Sequence, residues 1–269
     1  MLTIMNVPTS ATNLENNDLT LLSDEFDNPE TLKNWTFFHD KERWPNRIEK
    51  IGINKKGLFI IPRIGCWVGD LQGIYLYKNI TSDFIATTRV YVNGKSKKKS
   101  DNDWAISGLM ARTAKETTRE NWTQNQENWV YLMHGKSPGR GVVIDSKSNI
   151  NSKWEAELSK SENGVELKMV RLGSLIINLR RFPDGQWKVL DRFVRKDMPT
   201  TLQVGLNMSV CNKLYEISDF NFNSRTTFSK NEQADSITHF DYIHFERPKY
   251  PKRTMTKMSD TELLAFLGD

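Results

Sequence analysis

The sequence predicts an all-β protein, a sandwich of two packed antiparallel sheets. Three observations support this prediction. Short runs rich in β-branched and aromatic residues alternate between apolar and polar positions with a period of two. Gly, Asn, Asp and Pro separate these runs at short intervals. The chain has 269 residues, of which 38% are hydrophobic, and this is enough for one sizeable core. About a dozen strands then fit two sheets stacked about 10 Å apart.

The predicted strands begin with an apolar run at 21–26 and continue to the closing strand at 240–245. The clearest strand is 201–208, in which Leu202, Val204 and Leu206 share one face. The same alternation predicts a strand at 84–92. The remaining predicted strands are 57–62, 74–77, 104–111, 128–133, 142–145, 154–158, 165–169, 175–179 and 187–190.

Asn-Gly and Asp-Gly pairs predict tight turns, because these residues tolerate the positive φ that two-residue hairpins need. Two such pairs lie between predicted strands and therefore predict hairpins: Asn163-Gly164 between 154–158 and 165–169, and Asp184-Gly185 between 175–179 and 187–190.

The two ends of the chain differ from the predicted sandwich at 21–247. Residues 1–20 are rich in Asn, Thr and Ser, and we expect them to be loosely ordered. A basic, proline-containing linker spans 248–258. A capping box from Ser259 to Glu262 then opens a short amphipathic helix at 259–268. Such a short helix needs a surface to pack on, either its own sandwich or a protein partner.

Composition excludes several classes of protein. No apolar run approaches the roughly 20 residues that a membrane-spanning helix needs. The first 20 residues lack a basic start followed by an apolar stretch, so no secretory signal is predicted, the compartment stays unknown and a cytoplasmic location is the default expectation. Cys66 and Cys211 are too few for a disulfide scaffold, and Cys66 is interpreted as a small apolar residue.

The net charge of +5 and the pI near 9.0 suggest a nucleic-acid partner only at first sight. Segments 95–99 and 247–257 together hold nine of the 38 basic residues and no acidic residue. The rest of the chain is therefore mildly acidic, and a phosphate-binding groove on the sandwich is not expected.

Four motifs occur in an order that resembles the concanavalin A-like lectin/glucanase superfamily. They are Asp-Glu-Phe-Asp at 24–27, Gly-Leu-Met-x-Arg at 108–112, Asp-Gly-x-Trp at 184–187 and Phe-Asp-Tyr at 240–242. Within that superfamily the chain looks most like bacterial modules labelled regulation-of-enolase or laminin-G-like jelly rolls. The resemblance covers about 21–247 and implies a curved jelly roll whose concave face often holds carbohydrate. It leaves the activity open, because this fold also hosts hydrolases, lyases and adhesion modules.

The sequence also leaves two catalytic alternatives open, a hydrolase and a lyase. Glu155 and Glu157 share one face of a predicted strand, and a retaining hydrolase needs two carboxyl groups about 5–5.5 Å apart. The solvent face of an amphipathic strand has the same alternation, so the pair is a weak candidate. A lyase could use Tyr131, His134 and Arg112 if neighbouring strands brought them together.

The resemblance also implies a calcium ion that ties the first strand to the last. Asp24 and Asp241 are its candidate ligands, since each lies two residues before an apolar strand position. The alternative is that each carboxylate accepts backbone N–H groups.

Sugar binding is the leading functional prediction. Trp44 and Trp67 lie in polar segments marked by Gly and Pro, where an indole could stack on a sugar ring. Trp154, by contrast, is interpreted as a sheet-packing residue. We therefore predict a noncatalytic carbohydrate-binding module, with a hydrolase or lyase and a protein-interaction module as alternatives. The candidate ligand-binding residues are Trp44, Arg63, Trp67, Asp70, Gln72, Arg112 and Tyr131.

Overall fold

Most strands form where the alternation of apolar and polar residues predicts them, and the strands Thr36–Phe37 and Ile48–Asn54 form where no strand was predicted. The computed structural model describes residues 18–96, 99–211, 218–249 and 257–267. In these ranges the strands are β1 (Thr36–Phe37), β2 (Ile48–Asn54), β3 (Gly57–Pro62), β4 (Ile74–Thr81), β5 (Phe84–Asn93), β6 (Ala105–Arg112), β7 (Trp129–Ser137), β8 (Gly141–Ile150), β9 (Lys153–Lys160), β10 (Val165–Leu172), β11 (Leu175–Arg181), β12 (Lys188–Val194), β13 (Thr201–Ser209) and β14 (Ile237–Glu246). The α-helices there are α1 (Phe38–Glu42), α2 (Asp219–Ser224) and α3 (Asp260–Leu267).

These strands form two antiparallel sheets of seven strands each. Sheet 1 has the order β1-β4-β13-β6-β7-β8-β9, and sheet 2 has the order β12-β11-β10-β5-β14-β3-β2. Val204 and Leu206 of sheet 1 lie with Ala86 and Val90 of sheet 2 in the buried apolar core. The predicted all-β, two-sheet jelly roll is thus confirmed.

The apolar run at 21–26 is not a strand, contrary to the prediction. Residues Leu19–Leu22 form a 3-10 turn, and Asp24 makes a single antiparallel bridge to Ile243. Phe26 has a φ of 50°, and its backbone N–H donates to the Asp24 carboxylate over 2.9 Å. This local turn ends the pairing after one bridge, because a left-handed residue cannot continue an extended strand.

One predicted hairpin is confirmed and the other is wrong. Strands β11 and β12 pair on either side of Asp184-Gly185. The chain at Asn163-Gly164 instead crosses between the sheets, since β9 pairs with β8 while β10 pairs with β5 and β11. The Asn163 side chain accepts from the Val92 N–H over 3.1 Å, so it ties this turn to β5 of sheet 2.

Helix α3 packs on the protein's own sandwich. Ser259 and Glu262 form the predicted capping box, in which the Ser259 N–H donates to the Glu262 carboxylate over 2.8 Å. Leu263 and Leu267 are buried in an apolar cluster with Trp187 on the outer face of sheet 2. The apolar face of α3 therefore contacts the protein's own sandwich, which is one of the two surfaces expected for it.

Some predicted features lie outside the described residues. These are positions 1–17 of the N-terminal segment, 250–256 of the basic linker, and Lys97 and Lys98 of the basic loop. In the described ranges, no helix is long and apolar enough to cross a membrane.

Candidate functional site

A cleft of about 510 Å³ lies on the outer face of sheet 1. Aromatic side chains form much of its lining, namely Trp67, Trp104, Tyr131 and Trp154, and Asp145 and Lys147 add charged groups. Clefts of about 300–1,000 Å³ with aromatic walls and a few polar groups are typical ligand sites. This cleft is therefore the candidate functional site.

Strand register brings the polar groups of the cleft together. Tyr131 on β7 lies directly opposite Lys147 on β8, and Lys147 lies opposite Ala156 on the edge strand β9. Asp145 precedes Lys147 by two residues, so both side chains leave β8 on the same face. All five residues from Asp145 to Asn149 are polar, so the outer face of β8 carries no apolar side chain over this stretch.

The three polar side chains form a buried, hydrogen-bonded group. The Tyr131 hydroxyl donates to Asp145 Oδ2 over 2.7 Å, and the Lys147 Nζ lies 3.4 Å from the same oxygen. Burial raises the pKa of Asp145, although the Lys147 charge opposes this shift. Burial also lowers the pKa of Lys147, against the attraction of Asp145. Both charged forms are thus incompletely solvated in the free protein.

One oxygen of this group has no hydrogen-bond partner. The Asp145 side chain is only 1% exposed, and its Oδ1 atom is unpaired among the described residues. A buried acceptor without a partner costs roughly 1–3 kcal/mol. The Oδ1 atom has less than 1 Å² of exposed surface, so it is closed to ligand in this conformation.

Aromatic rings surround the Lys147 ammonium. Its Nζ lies 4.5 Å from the ring centre of Trp154, 5.2 Å from that of Tyr131 and 5.9 Å from that of Trp104. Trp104 has a φ of 49°, which is rare outside glycine and is typical of functional sites. Trp154 remains 53% exposed because it lies on the edge strand β9. Its indole is the most accessible ring among the four aromatic side chains of the lining.

Two of the predicted ligand-binding residues line this cleft. Tyr131 lies in it as described above. Trp67 is only 1% exposed, and its indole N–H donates to the Ile74 carbonyl over 3.0 Å. Trp67 is therefore a fixed wall of the cleft rather than a mobile loop residue.

The other residues of the predicted binding loop do not form a shared ligand surface, which corrects that prediction. Asp70 is buried and accepts from the Asn125 N–H over 2.7 Å, and Gln72 is buried and donates to Glu127 over 2.9 Å. Arg63 is exposed and reaches the Ile48 carbonyl over 3.4 Å. Protein groups occupy both carboxylate oxygens of Asp70 and the side-chain nitrogen of Gln72, and burial closes both side chains to a sugar.

Arg112 and Trp44 are also buried. Arg112 has no exposed surface and forms ion pairs with Glu42 over 2.7 Å and with Glu127 over 2.9 Å. Trp44 packs edge-on against Trp122, with ring centres 6.4 Å apart. Both residues stabilise the covered end of the outer face of sheet 1.

The catalytic alternatives are not assembled in the cleft. Trp154, Ala156 and Leu158 occupy the cleft side of β9. Burial raises the pKa of Asp191 on β12 of sheet 2, and the charges of Glu157 and Glu155 raise it further. Glu157 also borders the cleft. The predicted lyase group does not form, because Tyr131 and His134 are an odd number of residues apart on β7 and point to opposite faces.

The candidate calcium ligands lie in different surroundings. Asp24 accepts hydrogen bonds from the Phe26 N–H over 2.9 Å, the Thr31 hydroxyl over 3.0 Å and the Trp35 indole N–H over 2.9 Å. Asp241 lies 3.4 Å from Arg89. No group of three or more His, Cys, Asp or Glu side chains suited to a metal occurs in the described residues. The calcium site stays a prediction, and melting in EDTA tests it, because loss of a bound ion lowers the melting temperature.

Cys66 and Cys211 are joined in a disulfide, which corrects the interpretation of Cys66 as a lone apolar residue. The bridge between Gly65 and Val210 places their neighbours side by side, with Cα atoms 5.3 Å apart. Cys211 lines the cleft, so the disulfide connects one cleft wall to the segment before β4.

Comparisons with known proteins support the fold. No family model matches the sequence, and no curated protein matches it. A functionally unknown protein from Saccharomyces cerevisiae is similar in structure, with 13% identity, a TM-score of 0.55 and coverage of 81% of this chain and 99% of that chain. A xylan β-1,4-xylosidase from Bacillus halodurans has 12% identity and a TM-score of 0.52 over 84% of this chain and 39% of the enzyme. Basic winged bean lectin, solved with Tn-antigen, has 8% identity and a TM-score of 0.50 over 83% and 95%. These likenesses support the two-sheet sandwich fold of this chain.

Proposed function

We propose that the protein is a noncatalytic carbohydrate-binding module whose ligand lies in the cleft beside Trp154. The observation that supports this proposal most strongly is the exposed indole of Trp154 on the wall of an aromatic cleft that also holds charged side chains. The flat apolar face of Trp154 can stack on the C–H face of a sugar ring. Lys147 can then donate to its hydroxyl groups.

A binding role suits the carboxylates better than a hydrolytic one. Asp145 is only 1% exposed and its unpaired oxygen has less than 1 Å² of exposed surface, so an attacking water does not reach it. Hydrolysis needs a second carboxyl group on the opposite side of the scissile bond. Glu157 is the other carboxylate of the described lining, and it lies on β9 between the cleft residues Ala156 and Leu158. Neighbouring residues of a strand point to opposite faces, so Glu157 does not face Asp145 across the cleft.

Family membership is a further part of the proposal. The order of the four sequence motifs supports a place among regulation-of-enolase-like or laminin-G-like modules. Structural likeness to a lectin and to part of a xylosidase is compatible with that placement.

Trp154→Ala tests the proposal on a broad glycan array. We expect glycan binding to fall about tenfold or more, which corresponds to roughly 1.4 kcal/mol of lost stacking, with an unchanged melting temperature. The matched control is Val194→Ala, which removes an apolar side chain that is 64% exposed on sheet 2 and should leave binding unchanged. Absence of glycan binding by the wild-type protein would refute the proposal. Release of reducing ends from bound polysaccharides would support a hydrolase instead.

A further inference from the structure

We infer that a second cavity, at one end of the sandwich, binds an oxyanion, that is, a phosphate, sulfate or carboxylate group. The cavity has a volume of about 480 Å³ and lies where β5 and β7 end. It shares no lining residue with the cleft beside Trp154. Anion binding here is therefore a property separate from the proposed carbohydrate binding.

The charged groups of the described cavity lining are all positive. Lys99 and Lys136 contribute two ammonium groups, and no carboxylate belongs to that lining. One donor of Lys136 Nζ bonds to the Asp101 backbone carbonyl over 3.2 Å, which leaves two donors for a ligand. The loop at 95–99, which carries Lys99, has four lysines and no acidic residue in its sequence. This end of the sandwich should therefore attract anions.

Hydrogen bonds to Asp235 hold the chain on both sides of Lys99. The Asp235 carboxylate accepts from the Lys95 N–H over 2.9 Å and from the Asp101 N–H over 3.0 Å, one bond to each oxygen. The hydroxyl group of the buried Ser100 donates to the Asp235 backbone carbonyl. Lys99 is thus anchored next to a buried residue, although it is itself exposed. The Asp235 carboxylate is occupied by backbone N–H groups of the loop.

Two amide side chains add hydrogen-bond donors to the cavity. Asn163 Oδ1 accepts from the Val92 N–H over 3.1 Å, and Asn93 Oδ1 accepts from Asn163 Nδ2 over 3.0 Å. Each amide therefore uses its oxygen within the protein and retains at least one N–H group. Both residues line the cavity, and neither is buried. An anionic oxygen can accept from such an N–H group as well as from an ammonium group.

His134 lines the cavity without adding charge at neutral pH. Its ring nitrogens lie 2.8 Å from Ser161 Oγ and 3.3 Å from Asn163 Oδ1. Burial lowers the pKa of His134 to about 4, so the ring is neutral at pH 7. The described lining thus carries two positive charges and a surplus of donors. An oxyanion complements both features, whereas an uncharged sugar would leave the two charges uncompensated.

Titration of the isotope-labelled protein with phosphate, sulfate and acetate, followed by NMR, tests this inference. Sodium chloride holds the ionic strength constant, so that screening of non-specific attraction is equal throughout. We expect saturable shifts of the Ser100 and Gly135 amide signals in the millimolar range with at least one anion. The anion that binds most tightly identifies the class of anionic group. No saturable shift with any of the three would overturn the inference and leave the proposed carbohydrate binding standing.

Substitution of both lysines tests whether the bound anion lies in this cavity. Lys99→Gln combined with Lys136→Gln should weaken binding of the preferred anion about tenfold or more. The matched control Lys153→Gln removes an exposed lysine far from the cavity, since Lys153 pairs with Ile150 at the end of β8 and Val142 lines the cavity near its start. Melting temperatures establish that each variant folds, and the single variants replace the double variant if it does not. Unchanged anion affinity in the folded variants would overturn the inference.

Discussion

The Arg112 side chain is fully buried between two carboxylates at the covered end of sheet 1. It donates to Glu127 through Nε over 2.9 Å and to Glu42 through Nη1 over 2.7 Å. Burial opposes ionisation of Glu127, but the Arg112 and Lys115 charges outweigh it and hold the pKa of Glu127 at about 2. Arg112 therefore stabilises the fold and does not contact ligand in the cleft.

Replacing Arg112 by Met should destabilise the protein strongly. Glu42 would lose its cationic partner and Glu127 would keep only Lys115, and breaking a buried ion pair in this way costs about 3–5 kcal/mol. Urea unfolding measures the effect. The exposed Arg63→Met serves as the control, with an expected change within about 0.5 kcal/mol. A loss below about 1 kcal/mol in Arg112→Met would contradict this account of the network.

The buried His134 should make the free energy of unfolding depend on pH. Burial lowers its pKa from 6.5 to about 4 in the folded protein. Between these values the unfolded chain binds a proton that the folded protein excludes, so the free energy of unfolding should fall as the pH decreases from about 6.5 to about 4. The total loss is on the order of 3 kcal/mol, at roughly 1.4 kcal/mol per pKa unit.

The variant His134→Gln should lose this part of the pH dependence, whatever its stability at neutral pH. Urea unfolding of both proteins at several pH values between 7 and 4 provides the measurement. An equally steep decline in the variant would show that other groups cause the acid sensitivity.

At the scale of elements, the docking of helix α3 can be tested directly. Leu263 is fully buried against sheet 2, whereas Ala265 on the same helix is exposed. Leu263→Ala should lower the free energy of unfolding by about 2–5 kcal/mol through lost apolar contacts and a residual cavity. Ala265→Ser should change it by less than about 0.5 kcal/mol. Equal effects of the two substitutions in urea unfolding would contradict the docked position.

Local patterns predicted most strands because most of them point apolar side chains at alternate positions into the shared core. They failed where long-range pairing decided the outcome. Asn163-Gly164 permits a tight reversal, but pairing of Val165 with Val90 places the next strand in the other sheet. Trp154 fits a packed strand in the sequence, yet its strand has a partner on only one side. No local pattern shows that a strand lies at an edge, so the exposed Trp154 was missed.

The site was only partly predictable for the same reason. Tyr131 and Trp67 were identified from aromatic character and context, and both line the cleft. Asp145 and Lys147 were missed, although the polar run from Asp145 to Asn149, which directly continues the strand predicted at 142–145, was a usable signal. Their meeting with Tyr131 depends on the register between β7 and β8, which the sequence alone does not specify.

At the scale of the whole molecule, the basic excess of the chain lies away from the cleft. The basic excess lies in segments 95–99 and 247–257. The cleft lining has two basic residues, Arg140 and Lys147, and two acidic residues, Asp145 and Glu157. The cleft is thus close to neutral in a chain with a net charge of +5. Long-range attraction of polyanions should act at the basic segments and not at the cleft.

The location of bound glycan is the most direct test of the central claim. The chain has eight tryptophans, whose indole N–H signals can be assigned in an NMR spectrum after single substitutions. Titration with the strongest array ligand should shift the Trp104 and Trp154 signals and leave those of the buried Trp35 and Trp187 unchanged. Shifts confined to Trp44 and Trp122, or binding without a shift of Trp154, would contradict the assignment of the cleft as the carbohydrate site.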